Sequence, residues 1–103
     1  MKLFIKSKKN NIDAQAEYNV EKKEFIILKN SIISESVATS KTFNGNKITK
    51  RRNGTCKNNK VIENVIFKSA STAANYVTGR STNGLIAWKD ENGTKLRDLI
   101  ERK

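Results

Sequence analysis

The sequence predicts a single α+β domain in which an antiparallel sheet of five or six strands carries a helix on one face. Short apolar or alternating segments recur along the chain with polar turns between them, which is typical of hairpin-connected strands. A later segment places small apolar residues at helical spacing behind a serine, which predicts one capped helix on the sheet. The length of 103 residues suits one domain with one modest core.

Strands account for most of the predicted elements. They are expected over five segments: residues 2–7, 12–18, 24–29, 61–67 and 85–89. Apolar and polar residues alternate over 12–18, which predicts one buried face, whereas the consecutive apolar residues of 24–29 predict a central strand covered on both faces. Asn10 and Asn11 suit the first turn, because asparagine tolerates a positive φ. Residues 32–37 extend a strand or an edge in this interpretation.

The principal helix is predicted over residues 69–78. The Ser69 hydroxyl is placed to accept a hydrogen bond from a free amide of the first turn, and Gly79 is placed to end the helix in the left-handed conformation. The apolar positions share one face at spacings i, i+3, i+4 and i+7: Ala70, Ala73, Ala74 and Val77. Small side chains on that face let the helix lie close to the sheet.

Two shorter helices are predicted on either side of it. Residues 45–54 predict a short helix in the middle of the chain. After a turn rich in Asp, Asn and Gly at residues 90–93, Thr94 is placed to cap a last helix. The apolar residues of this last helix lie on one face: Leu96, Leu99 and Ile100.

The charge balance points to a negatively charged partner. The chain has 21 basic and 10 acidic residues, which is a formal net charge of +11. Such an excess favours nucleic acid first and an acidic membrane surface second. The enrichment in Lys and Asn also has a compositional explanation, since the codons of an AT-rich genome favour these residues. The charge alone therefore leaves both interpretations open.

Residue types that catalysis or metal binding needs are scarce. The chain has no histidine and a single cysteine, Cys56, which excludes an intrachain disulfide and a thiolate zinc cluster. Ser69 and Ser71 have no evident base nearby and suit helix capping better than nucleophilic attack. We therefore expect no enzyme activity, no metal, no cofactor and no small-molecule substrate. Without a membrane-spanning apolar run or a secretory leader, the expected location is cytoplasmic, away from the membrane.

The middle of the chain concentrates positive charge. Residues 36–62 contain seven cations and no acid: Lys41, Lys47, Lys50, Arg51, Arg52, Lys57 and Lys60. Such a segment binds phosphates through charge and counterion release, without reading sequence. The alternative is a solvated, lysine-rich loop. The same cations are expected to lower the pKa of the Cys56 thiol that lies among them.

A second candidate site follows the principal helix. Arg80 presents a fork suited to guanine, and Asn83 presents an amide suited to adenine. The alternatives are local: Asn83 with Gly84 forms a turn, and Arg80 is a favourable charge at a helix C-terminus. Trp88, the only tryptophan, either stacks on a base or packs in the core beneath the helix.

Residues 67–96 carry a spaced pattern of small, polar and aromatic residues. It runs Phe67-x-Ser69-x-Ser71-x-Ala73-Ala74, Val77-x-Gly79-Arg80-Ser81, Asn83-Gly84, Trp88-Lys89 and Gly93-x-x-Leu96. This pattern resembles domain-of-unknown-function family 4357, which is often found C-terminal to GIY-YIG nuclease domains. It is also similar to the RAMA domain (restriction enzyme and adenine methylase associated). Ala70 stands where the family's usual Ser-Pro-Ser has proline, and alanine still suits a helix start.

The resemblance implies a non-catalytic DNA-binding module for targeting in a restriction, repair or mobile-element setting, with modified DNA among the implied ligands. The residues expected to contact nucleic acid come from both candidate sites: Lys47, Lys50, Arg51, Arg52, Lys57, Lys60, Arg80, Asn83 and Trp88. The other function considered is a protein-interaction module that docks a nuclease or methylase through an exposed edge strand or the serine–alanine helix. Salt separates the two functions, since phosphate contacts weaken steeply as salt rises.

Overall fold

Strands fill the beginning of the chain, and helices lie between and after the later strands. The computed structural model describes residues 1–35, 37 and 45–101. The strands are β1 (Lys2–Ser7), β2 (Ile12–Asn19), β3 (Glu24–Ile27), β4 (Cys56–Lys57), β5 (Lys60–Val61) and β6 (Val65–Phe67). The helices are α1 (Gly45–Arg52), α2 (Ala70–Thr78), α3 (Gly84–Ala87) and α4 (Leu96–Glu101).

Four of the strands form one antiparallel sheet in the order β1-β2-β3-β6. The other two strands of the described residues, β4 and β5, pair as a hairpin. Ile32 joins this hairpin to the sheet, because it bridges Asp13 of β2 and Lys60 of β5. The α+β class is confirmed, and the expected strands are divided between a sheet and a hairpin. In the described part of the predicted extended segment at residues 32–37, Ile32 forms β-bridges and the Ile33 amide donates to Asn59 O at 2.8 Å.

The prediction of one strand over residues 61–67 is wrong, because residues 62–64 separate β5 from β6. The backbone around the break has other partners. The Ile62 amide donates to Thr55 O at 2.9 Å, and Asn64 Oδ1 accepts from a backbone amide at 2.8 Å. The apolar pattern predicts extended backbone but does not reveal such a change of pairing partner.

α2 covers one face of the sheet. Ser69 Oγ accepts from the Thr72 amide at 3.0 Å and caps the helix. At the other end, Gly79 adopts φ 74, and its amide donates to Asn75 O at 2.8 Å. The predictions for both ends are confirmed. The predicted apolar face is buried as well: Ala73, Ala74 and Val77 fully, Ala70 in part.

The sheet is well covered only on the side of α2. The side chains buried on that side come from all four strands: Leu3, Ile5, Ile12, Ala14, Ala16, Phe25, Ile27, Val65 and Phe67. β3 is central, as predicted. Its opposite face is partly open, however, since Ile26 is half-buried and its cross-strand partner Ile66 is 48% exposed. The expectation of cover on both faces is wrong, because α2 packs against only one of them.

Residues 85–89, predicted as a strand, begin as a helical turn. α3 spans Gly84–Ala87, and only Lys89 pairs like a strand residue, with Phe4 of β1. Asn83 Oδ1 caps α3 by accepting from the Leu85 amide at 3.0 Å. A short apolar run does not distinguish a buried strand from a helical turn, and the cap decides between them here.

The C-terminal helix exists as predicted, but its start differs. α4 begins at Leu96, two residues after Thr94, so the predicted threonine cap is wrong. The Thr94 amide is already used by the turn at residues 90–93, where the Asp90 carboxylate accepts it at 2.9 Å. Of the predicted apolar face, Leu96 is buried whereas Ile100 is 40% exposed.

Candidate nucleic-acid interface

α1 presents lysines to solvent from a helix anchored by one apolar residue. Ile48 is buried, whereas Lys47 and Lys50 are exposed. These lysines are three positions apart and are therefore neighbours on the helix surface. The helix predicted over residues 45–54 is confirmed as α1. Lys41, which precedes it in the basic segment, lies outside the described residues.

The β4–β5 hairpin presents two more lysines. Its turn residues, Asn58 and Asn59, have φ 52 and φ 65, which suits the type I′ turn that asparagine favours. Lys57 and Lys60 are exposed and directly opposite each other in the strand register. Like charges in that position destabilise a strand pair, so a bound anion would relieve the repulsion. Strands of two residues carry too short a pattern to be predicted from sequence.

α1 and the β4–β5 hairpin together form the basic unit, residues 45–61. Thr55 connects its two parts, because the Thr55 hydroxyl donates to Arg51 O at 2.6 Å. The sequence of the basic unit contains six cations and no Asp or Glu. Over residues 1–35, 37 and 45–101, the ion pairs join Met1 to Glu17, Lys68 to Glu24 and Arg97 to Asp98. None of these pairs includes a lysine of the basic unit.

Arg52 differs from these lysines, because its guanidinium is held inside the fold. Nε and Nη2 donate to Tyr76 O at 3.1 and 2.7 Å, and Nη1 and Nη2 donate to Ser34 O and Oγ at 2.9 and 3.0 Å. Tyr76 O belongs to the last turn of α2, whose carbonyls have no partner within the helix. Burial lowers the pKa of Arg52, yet a guanidinium remains protonated at neutral pH. Arg52 therefore stabilises the end of α2, and each of its three guanidinium nitrogens already donates within the fold.

Arg51 lies over the edge of the sheet formed by β6. Its Nη2 donates to Ile66 O, and its guanidinium carbon lies 4.8 Å from the Phe67 ring centroid, within the range of a cation–π contact. The side chain remains exposed, so its charge still contributes to the surface. Arg51 thus contacts β6 and also contributes positive charge to the surface that a phosphate would meet.

The second candidate site is divided between surface and core. Arg80 is exposed after α2, and Asn83 is exposed but uses its Oδ1 to cap α3. Trp88 is 0% exposed, and its Nε1 donates to Ala70 O at 3.0 Å. A ring without an exposed face does not stack on a base. Trp88 therefore packs in the core beneath the helix, which was the alternative to base stacking. Tyr76 is also fully buried.

Two adjoining clefts lie at the end of the sheet where the β1–β2 turn is found. The larger, of about 790 Å³, lies between that turn, residues 8–11, and the β4–β5 turn at Asn58-Asn59. The smaller, of about 360 Å³, lies between Lys9 and Arg80. Both clefts include Glu35 and the last residue of the β1–β2 turn in their linings. The structure therefore brings Arg80 and the hairpin to one end of the molecule.

Lys8 and Lys9 at this end are residues that the sequence argument missed. The sequence contains one indication of their role, because the two turns have the same composition. Residues 8–11 read Lys-Lys-Asn-Asn and residues 57–60 read Lys-Asn-Asn-Lys. Both turns contain asparagine at positive φ. Their proximity follows from the segment around Ile32, which pairs with both β2 and β5. Pairing between segments this far apart in the chain is not indicated by any local sequence pattern.

At Cys56, burial outweighs the nearby positive charge. Burial raises the pKa of the Cys56 thiol, and the attraction of Arg52 offsets this only in part. The expectation of a lowered pKa is therefore wrong. Burial also raises the pKa of Tyr76, whose hydroxyl lies 2.7 Å from Thr55 Oγ1.

The raised pKa of Tyr76 predicts a loss of stability in alkali. Folding favours the neutral phenol, so its contribution is complete below the pKa of an unfolded tyrosine, about 10, and is lost as pH rises through the folded pKa. Tyr76→Phe removes the ionisable group. The difference in free energy of unfolding between wild type and variant should be constant below about pH 10 and smaller at about pH 11. Urea denaturation at each pH measures it, and a difference independent of pH would contradict the assignment.

These features define a small α+β domain with a basic unit beside a cleft between two Lys–Asn turns. Residues 3–100 match the protein family described as Domain of unknown function (DUF4357). The chain belongs to this family, which confirms the resemblance to family 4357 noted over residues 67–96. No curated protein and no solved structure matches the chain.

Over residues 1–35, 37 and 45–101, no helix has the length and apolar character needed to cross a membrane. In the same residues, no three or more His, Cys, Asp or Glu side chains are grouped so that they could hold a metal ion.

Proposed function

We propose that this chain is a non-catalytic, cytoplasmic DNA-binding module whose basic unit docks on the phosphate backbone. One observation carries the proposal. The unit presents exposed lysines without a carboxylate partner among the described residues: Lys47, Lys50, Lys57 and Lys60. A cationic surface that the protein itself leaves uncompensated is the electrostatic footprint of a nucleic-acid partner.

The docking of the basic unit acts through charge, and any preference for modified DNA needs an additional contact to the base. Each lysine that contacts a phosphate releases condensed counterions, so the binding constant falls as salt rises. Phosphate contacts of this kind position a protein on DNA without reading its sequence. Arg80 adds an exposed cation at the end where the two clefts lie. Arg52 and Trp88 have no part in the interface, since one stabilises the end of α2 and the other fills the core.

The biological setting that we propose follows from the family pattern alone. The module would target a nuclease or methylase in restriction, repair or a mobile element. Modified DNA is part of this proposal, and a duplex methylated at adenine would then bind more tightly than the same unmethylated duplex. Equal affinities would limit the proposal to DNA in general.

We expect the triple variant Lys50→Gln/Lys57→Gln/Lys60→Gln to bind a short DNA duplex roughly 100-fold more weakly near 0.1 M salt. Removing three phosphate contacts should also reduce the slope of log K against log salt by about 2.7, which is about 0.9 for each contact. Fluorescence anisotropy at several salt concentrations measures both quantities. The side chains are exposed, so the fold should be unaffected.

The matched control is a second triple Lys→Gln variant, which removes three positive charges at the opposite end of β2. Lys2, Lys22 and Lys23 are exposed and lie by the β2–β3 turn or at the start of β1. Their triple substitution to Gln should change the affinity by less than about tenfold, through long-range charge only. If both triple variants lost affinity equally, the binding would depend on net charge and the proposed interface would be rejected.

A protein-docking module is the second candidate, and exposed apolar residues favour it. Leu85 and Ile86 on α3 and Ile100 on α4 are each 40% exposed. The apolar face of the serine–alanine helix is buried, and Arg51 covers part of the β6 edge, so neither suits docking. A nuclease or methylase bound through the apolar residues would resist salt, in contrast to DNA.

A further inference from the structure

The larger cleft has a lining that phosphate binding alone does not explain. Its lining includes two cations, Lys6 and Lys8, yet the carboxylates of Asp13 and Glu35 line the same cleft. Both acidic side chains are exposed to solvent. A DNA backbone entering the cleft would meet two like charges there, and like charges at close range are repulsive. A ligand that suits this cleft therefore needs hydrogen-bond donors as well as negative charge.

Nucleobases supply such donors. Cytosine, adenine and guanine each carry an exocyclic amino group, and carboxylates accept hydrogen bonds from cytosine N4 in known recognition. Thymine has no exocyclic amino group. The phosphate attached to the same nucleotide suits the ammonium groups of Lys6 and Lys8 in the lining. The carboxylates of the lining thus suit the base of a nucleotide, and the lysines of the lining suit its phosphate.

The floor and the size of the cleft suit a planar ring. Ile12, Ile32 and Ile33 contribute apolar surface to the lining. The amides of Asn58 and Asn59, on the facing turn, add polar groups at the opposite wall. The volume of about 790 Å³ lies within the range of pockets that hold small ligands. A base has to leave the stack to enter a concave space of this kind, because a duplex presents its bases edge-on inside a groove.

We propose that this cleft binds an unpaired nucleobase that carries an exocyclic amino group, with Asp13 and Glu35 as its acceptors. The inference rests on the proposed function, since the basic unit holds the strand whose base enters the cleft. It adds two properties that backbone docking does not have. Single strands bind in preference to duplex of the same length, and oligo(dC) binds in preference to oligo(dT).

The test compares fluorescein-labelled ten-nucleotide oligo(dC) and oligo(dT) strands and a ten-base-pair duplex, all at one salt concentration. The wild-type protein should bind oligo(dC) about tenfold more tightly than oligo(dT), because one good base contact discriminates by that factor or more. The double variant Asp13→Asn/Glu35→Gln should bind oligo(dC) more weakly. The same variant should bind oligo(dT) equally or more tightly, because two negative charges have been removed. A lower affinity for oligo(dC) together with an equal or higher affinity for oligo(dT) would indicate base recognition.

The outcomes separate this inference from the proposed function. If wild type binds all three ligands and the variant gains affinity for both strands equally, the carboxylates only repel phosphates and the inference is overturned. Equal wild-type affinities for oligo(dC) and oligo(dT) overturn it as well, while the DNA-binding proposal stands. If no ligand binds at low salt, both proposals fail together. Glu35→Gln alone serves as a second variant, since Glu35 lies outside every strand and its change leaves the sheet intact.

Discussion

Gly84→Ala is expected to lower the free energy of unfolding by roughly 3 kcal/mol, at the upper end of what overpacking costs. A Cβ at residue 84 would lie 2.2 Å from Ala70 C, 2.3 Å from Ala70 O and 2.5 Å from Ser71 N. These are backbone atoms of the first turn of α2, so no side-chain rotation relieves the clash. The Gly84 amide also donates to Ser71 Oγ at 3.0 Å, which ties α3 to α2. Urea denaturation of the variant and the wild type measures the loss.

Gly93→Ala is the matched control for this substitution. A Cβ at residue 93 meets nothing within 4 Å, but the residue has φ 83, so alanine there should cost about 1 kcal/mol of backbone strain. The comparison separates steric contact from backbone strain, because only residue 84 has the contact. Equal losses at the two positions would show that α3 can move away from α2 and would contradict the close approach.

The position of α3 against α2 could not be predicted from the sequence, whereas the ends of α2 could. The two ends of α2 were predictable, because the Ser69 cap and the Gly79 stop act on amides and carbonyls within four residues. Asn83-Gly84 indicates a turn by local propensity, and a turn was predicted. The actual reason for the glycine is its contact with Ala70, which is distant in sequence. A requirement set by tertiary packing leaves no periodic signal near residue 84.

The same limit applies to the candidate site. Lys50 and Arg52 are indistinguishable by charge, and both were assigned to phosphate. Arg52 lies four residues after Ile48, so the two share the inner face of α1, and this spacing was a usable signal that Arg52 turns inward. The cleft beside the basic unit had no such signal, because it depends on the pairing of Ile32 with two separate strands.

Arg52→Met should lower the free energy of unfolding by about 3 kcal/mol, because several charge-assisted hydrogen bonds are lost and their acceptors remain half-buried. Methionine keeps the length and the apolar stem but donates nothing to Tyr76 O and Ser34 O, which now accept at 2.7 and 2.9 Å. Arg52→Lys keeps the charge but not the planar fork, so it should recover only part of the loss. Thermal and urea denaturation measure the series.

Lys50→Met, on the same helix, is the control that separates structure from binding. Its side chain is exposed, so the free energy of unfolding should change by no more than about 0.5 kcal/mol. Its DNA affinity should fall, and the salt slope should decrease by about 0.9. Arg52→Met should do the reverse, with lower stability and an unchanged salt slope at a temperature where the variant is folded. If Arg52→Met reduced the salt slope as Lys50→Met does, its guanidinium would contact phosphate, and its assignment to the end of α2 would be wrong.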